Sequence, residues 1–245
     1  MESQSIIVHG ANMHYLSSGK GKTVLFLHGA PGSSAMWEPI ISRVSSFAQC
    51  IAVDLIGMGR SDKPRIDYSI EDHNLFLSGF IEALNLRYFS IVVTGWGSVV
   101  GLDYARRNPD NIARLVFIES FLRIEKNRHD LSLVFEKLKI MAQSDPTKLR
   151  RMLTDAFWRT VEDNPYVNPN SSVTAVIDAY SAWLEKTPIK KLLFYGGSGF
   201  LTTKSTVMWA MKALPNLKTV DLGIEATALT DTMAEKFAEE MHGWL

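Results

Sequence analysis

Short apolar runs rich in β-branched and aromatic residues recur along the chain: SIIV (5–8), MHYL (13–16), TVLFLH (23–28), CIAV (50–53), SIVV (90–93), RLVFI (114–118), KLLFY (191–195) and KTVDL (218–222). Their lengths and the polar or Gly-rich stretches around them predict eight strands. The first two lie close enough for a hairpin, so the sheet starts antiparallel. Later runs are separated by stretches with helical spacing, such as SIEDHNLFLSGFIEAL at 69–84. Ser69 followed three positions on by Asp72 is a capping-box pattern and marks where that helix begins. Strands alternating with helices give a mostly parallel sheet covered on both faces, an α/β sandwich.

One interval breaks this rhythm. About seventy residues separate the strand ending near Ile118 from the one starting near Lys191, far more than one crossover helix needs. The interval reads as three helices, DLSLVFEKLKIMAQ, DPTKLRRMLTDAFW and SSVTAVIDAYSAWLEK, with a Pro- and Asn-rich break at NPYVNPNSS. The expected organisation is a core of residues 1–120 and 189–245 with a helical cap at 121–188. Ligands of parallel sheets bind outside the carboxyl ends of the strands. A cap inserted there predicts a lidded, largely apolar pocket. Of the cap aromatics Phe135, Phe157, Trp158, Tyr180 and Trp183, most are needed to pack the cap, leaving one or two for the pocket.

Composition narrows the class of ligand. With 245 residues, 46% of them hydrophobic, the chain can bury a large core. Lys plus Arg and Asp plus Glu balance at 26 each, so no overall field attracts nucleic acid or an anionic membrane. The basic cluster KLRRM (148–152) reads as a solvated helix face. No stretch reaches the roughly 18 uninterrupted apolar residues of a membrane span. The single cysteine, Cys50, excludes an internal disulfide and reads as core, which fits a reducing cytoplasm. No metal-ligand spacing appears, and GGSG at 196–199 lacks the context of a dinucleotide motif. The expected partner is a small molecule, with no nucleic acid, membrane or cofactor.

The chemistry-bearing segments come in a definite order. They are HGAPGSSAMW (28–37), DLIGMGRSDKP (54–64), DH (72–73), GWGS (95–98), VFIES (116–120), KLLFYGGSGFL (191–201) and VDLG (220–223). This set resembles the α/β-hydrolase superfamily, and most of all its haloalkane dehalogenases and the related coelenterazine luciferase branch. The resemblance covers nearly all of the core and weakens in the cap. It implies an Asp nucleophile at a strand-to-helix elbow, an acid after the sixth strand and a His in the loop after the last strand. It also implies two backbone N–H groups as an oxyanion hole and a tryptophan beside the nucleophile. Carried over position by position, the nucleophile falls on Gly95 and the base on Thr227. The acid is Glu119, the tryptophan is Trp96, and the oxyanion donors are the N–H groups of Ala30 and Trp96.

The departures fall on the two positions that perform covalent hydrolysis. An ester intermediate needs a side-chain oxygen at the elbow, which glycine does not offer. A threonine hydroxyl is too weak a base to replace histidine near neutrality. The expected pocket residues are Thr94, Gly95, Trp96, Phe121 and Thr227, with Glu119 as general acid or base. The competing reading of Glu119 is a structural one, bonding to Thr227 and nearby backbone. Ser98 is a replacement nucleophile or a small residue for close helix packing, and Glu225 a second carboxylate or an exposed one. His28 and His73 read as structural, and His9, His14, His129 and His242 are expected near the surface. These parts fit a cofactor-independent enzyme acting noncovalently by cyclisation, isomerisation or elimination. The alternatives are a non-catalytic receptor or carrier, and a hydrolase using water activated by Glu119.

Overall fold

A computed structural model describes residues 1–125, 154–166, 168, 170–197, 199–223 and 231–245. Its strands are β1 (Glu2–Val8), β2 (Ala11–Ser18), β3 (Thr23–Leu27), β4 (Gln49–Val53), β5 (Phe89–Gly95), β6 (Ile112–Ser120), β7 (Lys190–Tyr195) and β8 (Leu217–Asp221). All eight predicted runs are strands of one sheet, ordered β1-β2-β4-β3-β5-β6-β7-β8. β1 and β4 both pair antiparallel with β2, and every other pair is parallel. This is the expected mostly parallel sheet with an antiparallel start.

Alternation along the strands builds two cores. Leu25 and Leu27 of β3 face one side with Ile91 and Val93 of β5. Val24, Phe26 and Val92 face the other, because successive strand residues point to opposite faces. The first side is covered by α2 (Ile70–Ala83), α3 (Trp96–Arg107), α5 (Ser172–Leu184) and α6 (Lys204–Ala213). The second is covered by α1 (Glu38–Val44) and α7 (Asp231–His242). Helix α4 (Asp155–Glu162) lies in the interval expected to form the cap. Ser69 caps α2 as the sequence predicts: its hydroxyl accepts from Asp72 N–H, and the Asp72 carboxylate accepts from Ser69 N–H, each at 3.1 Å.

Helix α3 sits unusually close to the sheet, and glycine permits it. A Cβ on Gly97 would lie 2.5 Å from the His28 carbonyl oxygen and 2.7 Å from that of Leu27. Any side chain there would push the helix off β3. Lys191, at the start of β7, is fully buried, and its ammonium donates to the carbonyls of Thr187, Ile189 and Pro215 at 2.8–2.9 Å. Those bonds fasten the entry to β7 to the turn before β8. Among the described residues, no helix is long and apolar enough to cross a membrane.

Candidate active site

Strand β5 passes into α3 without an intervening loop, and the joint is Gly95, at φ 48° and ψ −127°. Residues with a side chain avoid that combination, since their one positive-φ well has ψ near +30 to +60°. The loop after β3 lies directly against the joint. A Cβ built on Gly95 would stand 3.1 Å from Gly29 Cα and 4.0 Å from the Ala30 nitrogen, the contacts inside 4 Å among the described residues beyond its chain neighbours. A group at that point therefore faces the Ala30 amide. It also sits at the start of a 12-residue helix with no acidic residue in its first turn. The first N–H groups of such a helix have no partner within it, and the helix dipole favours negative charge there.

Glu119 comes to the joint from the neighbouring strand, where Gly95 pairs with Ser120. It holds a left-handed φ of 40°, a conformation that costs a non-glycine residue roughly 1–3 kcal/mol. Its Oε2 accepts the N–H groups of Phe200 and Leu201, both at 2.9 Å. Its Oε1 is buried and has no hydrogen-bond partner among the described residues. Gly199 is packed onto that oxygen, since a Cβ there would come within 2.8 Å of it. The strained residue is tied down further by its neighbour: Ser120 N–H donates to Thr202 Oγ1 at 3.0 Å, and Ser120 Oγ donates to the carbonyls of Val93 and Ile118. Nothing in the sequence marks Phe200 and Leu201 as the carboxylate's donors. A Gly-rich turn after a strand is the only hint, because it frees consecutive N–H groups.

The remaining candidates separate clearly. Ser98 is structural: its hydroxyl donates to the Gly95 carbonyl at 2.6 Å and accepts from Phe121 N–H at 2.9 Å, holding the elbow to the segment after β6. Thr94 bonds across to the Glu119 carbonyl at 3.4 Å. Phe121 is buried, and its carbonyl accepts the Tyr180 hydroxyl of α5. Trp96 is buried with its indole N–H unpaired, its ring set edge-on to His73 at 6.0 Å. His28 is a fixed neutral imidazole, Nδ1 donating to the Gly29 carbonyl and Nε2 accepting from Leu55 N–H. Burial outweighs its hydrogen bond and the nearby Asp54, pushing its pKa down. His73 is buried with both ring nitrogens unpaired. Burial, opposed by Asp72, lowers its pKa to about 4. It carries no charge near neutrality.

One expectation is overturned. His14, expected near the surface, is buried, because the hairpin turns it under β1 to meet Asp54 at 2.9 Å. His9 and His242 are exposed, as expected. Thr227, Glu225, His129, Phe135 and the basic cluster at 148–152 lie outside the described residues. Phe157 and Tyr180 are buried and Trp183 is partly buried. Among the described residues, grooves of about 470 and 370 Å³ run along α2 and α3, lined by Ser78, Tyr104, Asn74 and Asp103 and away from the elbow. No group of His, Cys, Asp and Glu among the described residues could hold a metal ion.

A sheet of this order, with a glycine elbow leading into a helix against the loop after β3, defines a class. The chain matches the alpha/beta hydrolase fold family over residues 22–222, and it belongs to that family. Within it, the chain falls in the haloalkane dehalogenase-like branch. It is 30% identical to a haloalkane dehalogenase of Mesorhizobium japonicum over 96% of this chain and 88% of the relative. It is 29% identical to one of Agrobacterium fabrum over 96% and 89%. The crystal structure of haloalkane dehalogenase DbeA from Bradyrhizobium elkani superposes with a TM-score of 0.88 at 26% identity, covering 99% of this chain and 97% of that one.

Proposed function

We propose that this chain is a cofactor-independent enzyme that works noncovalently on a small, largely apolar molecule, by cyclisation, isomerisation or elimination. The observation that carries the reading is the elbow itself, where Gly95 leaves no side-chain oxygen for covalent attack while the anion-stabilising surroundings persist. The relatives are named for dehalogenation. A covalent route to that reaction needs an oxygen nucleophile at this position, and Gly95 cannot supply one. Thr227, in place of a histidine base, removes the second requirement.

What remains is suited to a developing negative charge. The Ala30 nitrogen faces the space beside Gly95; together with the Trp96 N–H at the start of α3 it is the donor pair of the proposal, and a preorganised pair of this kind stabilises an oxyanion by roughly 3 kcal/mol. Glu119 is the proton-transfer group of the proposal, anchored through Oε2, with Oε1 free of a hydrogen bond among the described residues. Orientation in a closed site adds several kcal/mol without any nucleophile. Thr94, Phe121 and Thr227 complete the proposed pocket beneath a cap at 121–188.

A second reading is binding without turnover, as a receptor or carrier. The two backbone bonds at Glu119 Oε2 favour it, because a carboxylate that holds a loop needs no chemical role. One experiment separates the two. Metabolite extract from the native host is incubated with the protein, with Glu119→Gln and without protein, and compared by mass spectrometry. The enzyme reading expects a product or isomer whose formation falls roughly a hundredfold or more in Glu119→Gln. A compound retained equally by both proteins and never converted overturns it in favour of the receptor.

A further inference from the structure

At the antiparallel edge of the sheet, three side chains unused by the elbow stand in line. Asp54, at the end of β4, is 1% exposed, His14 of β2 is 5% exposed, and Ser3 of the edge strand β1 is open to solvent. Asp54 Oδ2 lies 2.9 Å from His14 Nδ1, and His14 Nε2 lies 2.8 Å from Ser3 Oγ. The register explains the meeting. Ser5 is directly opposite His14, so Ser3, two residues along the same face, is its diagonal neighbour.

The hydrogen bonds fix the direction of the chain. Asp54 also accepts the N–H groups of Ser34 and Arg60, at 2.5 and 2.7 Å. Burial pushes its pKa up, but those N–H groups outweigh it, and the carboxyl is held below its usual value. An ionised carboxylate only accepts, so His14 Nδ1 carries a proton, and in the singly protonated imidazole Nε2 presents its lone pair to the Ser3 hydroxyl. Arg60 Nη1 donates to the same Ser3 oxygen at 3.3 Å. The hydroxyl thus faces a base on one side and a cation on the other, an arrangement of roles that recurs on unrelated folds.

We propose that Ser3, His14 and Asp54 form a second, acyl-transferring site that takes small activated carboxylic esters, with Arg60 facing the oxyanion. Ser3 Oγ attacks the ester carbonyl carbon as its proton passes to His14 Nε2. The negative oxygen of the tetrahedral intermediate lies beside the Arg60 guanidinium. Collapse breaks the bond to the leaving alkoxide, which takes the proton back from His14 Nε2. Water then repeats the sequence on the acyl-serine, releasing the carboxylic acid and restoring Ser3. Asp54 is a positioning residue, holding the imidazole in the tautomer the step requires.

The test treats the full chain with diisopropyl fluorophosphate and, separately, with 4-nitrophenyl acetate. Tandem mass spectrometry is expected to find the phosphoryl adduct on Ser3, formed at least tenfold faster than on Ser5, which is exposed on the same strand. Release of 4-nitrophenolate is expected to fall at least tenfold in Ser3→Ala and to stay at the wild-type rate in Ser5→Ala. Arg60→Gln is expected to slow both reactions several-fold while the far-ultraviolet circular dichroism is unchanged. Absence of the Ser3 adduct, or equal phenolate release by Ser3→Ala and the wild type, overturns the proposal. Neither result bears on the elbow, since Glu119-dependent turnover is expected to survive Ser3→Ala.

Discussion

Replacing Gly95 by alanine tests the geometry on which the functional reading rests. The new methyl group meets two obstacles. At φ 48° and ψ −127° the backbone is outside the wells open to L-residues, a cost of roughly 1–3 kcal/mol. Its Cβ also stands 3.1 Å from Gly29 Cα, a backbone atom that must move by a few tenths of an ångström, and tight insertions of this kind cost about 1 kcal/mol or more. Together they predict a loss of about 2–4 kcal/mol, or about 6–12 °C in Tm for a chain of this size. Gly10→Ala separates the two contributions, because Gly10 also has a positive φ, 81°, but nothing lies within 4 Å of its Cβ position. It is expected to lose only the conformational part, about 1 kcal/mol. Urea titration followed by circular dichroism, with equal m-values, provides the comparison. If Gly95→Ala is no less stable than Gly10→Ala, the elbow is not the strained, tightly backed joint described here.

Other outcomes follow from single contacts. His73 has a folded pKa near 4 against roughly 6.5 in the unfolded chain, so the unfolded state binds the extra proton between those values. Stability is therefore full above about pH 6.5 and falls as pH drops toward 4, by about 3 kcal/mol in total; His73→Phe should flatten that fall, as read from urea midpoints at pH 7 and 4.5. Ser98→Ala leaves the buried Phe121 N–H without its acceptor and should cost about 1–3 kcal/mol in the same urea assay. Lys191→Met strips the donor from three carbonyls and should lower Tm by several degrees, about 2–4 kcal/mol. Gly95→Asp with Thr227→His restores an oxygen nucleophile and a base, and halide release from bromoalkanes, followed by ion chromatography, is the expected gain. A folded double variant that releases none would mean that the pocket has diverged as well as the two positions.

Much of this protein could be read from its sequence, because the signals are local. Apolar, β-rich runs of four to six residues marked every strand, and Ser69 with Asp72 marked the start of α2 through bonds only three positions apart. The elbow was legible for the same reason: an apolar run, a glycine and a helical stretch in direct succession leave the chain one way to turn. What the sequence left open is decided by strand order. The sheet places β4 between β2 and β3 and so brings Asp54 under His14, forty positions away, and His14 under Ser3. A histidine expected near the surface is instead buried between the Asp54 carboxylate and the hydroxyl of the edge-strand Ser3. The same is true of Glu119, whose donors stand more than eighty positions further along, on a loop that reaches it only because β7 lies beside β6. Side-chain periodicity is a property of a few neighbouring residues, whereas the partner of a buried polar atom is set by which distant strands share an edge, and that pairing exists only once the whole sheet has assembled.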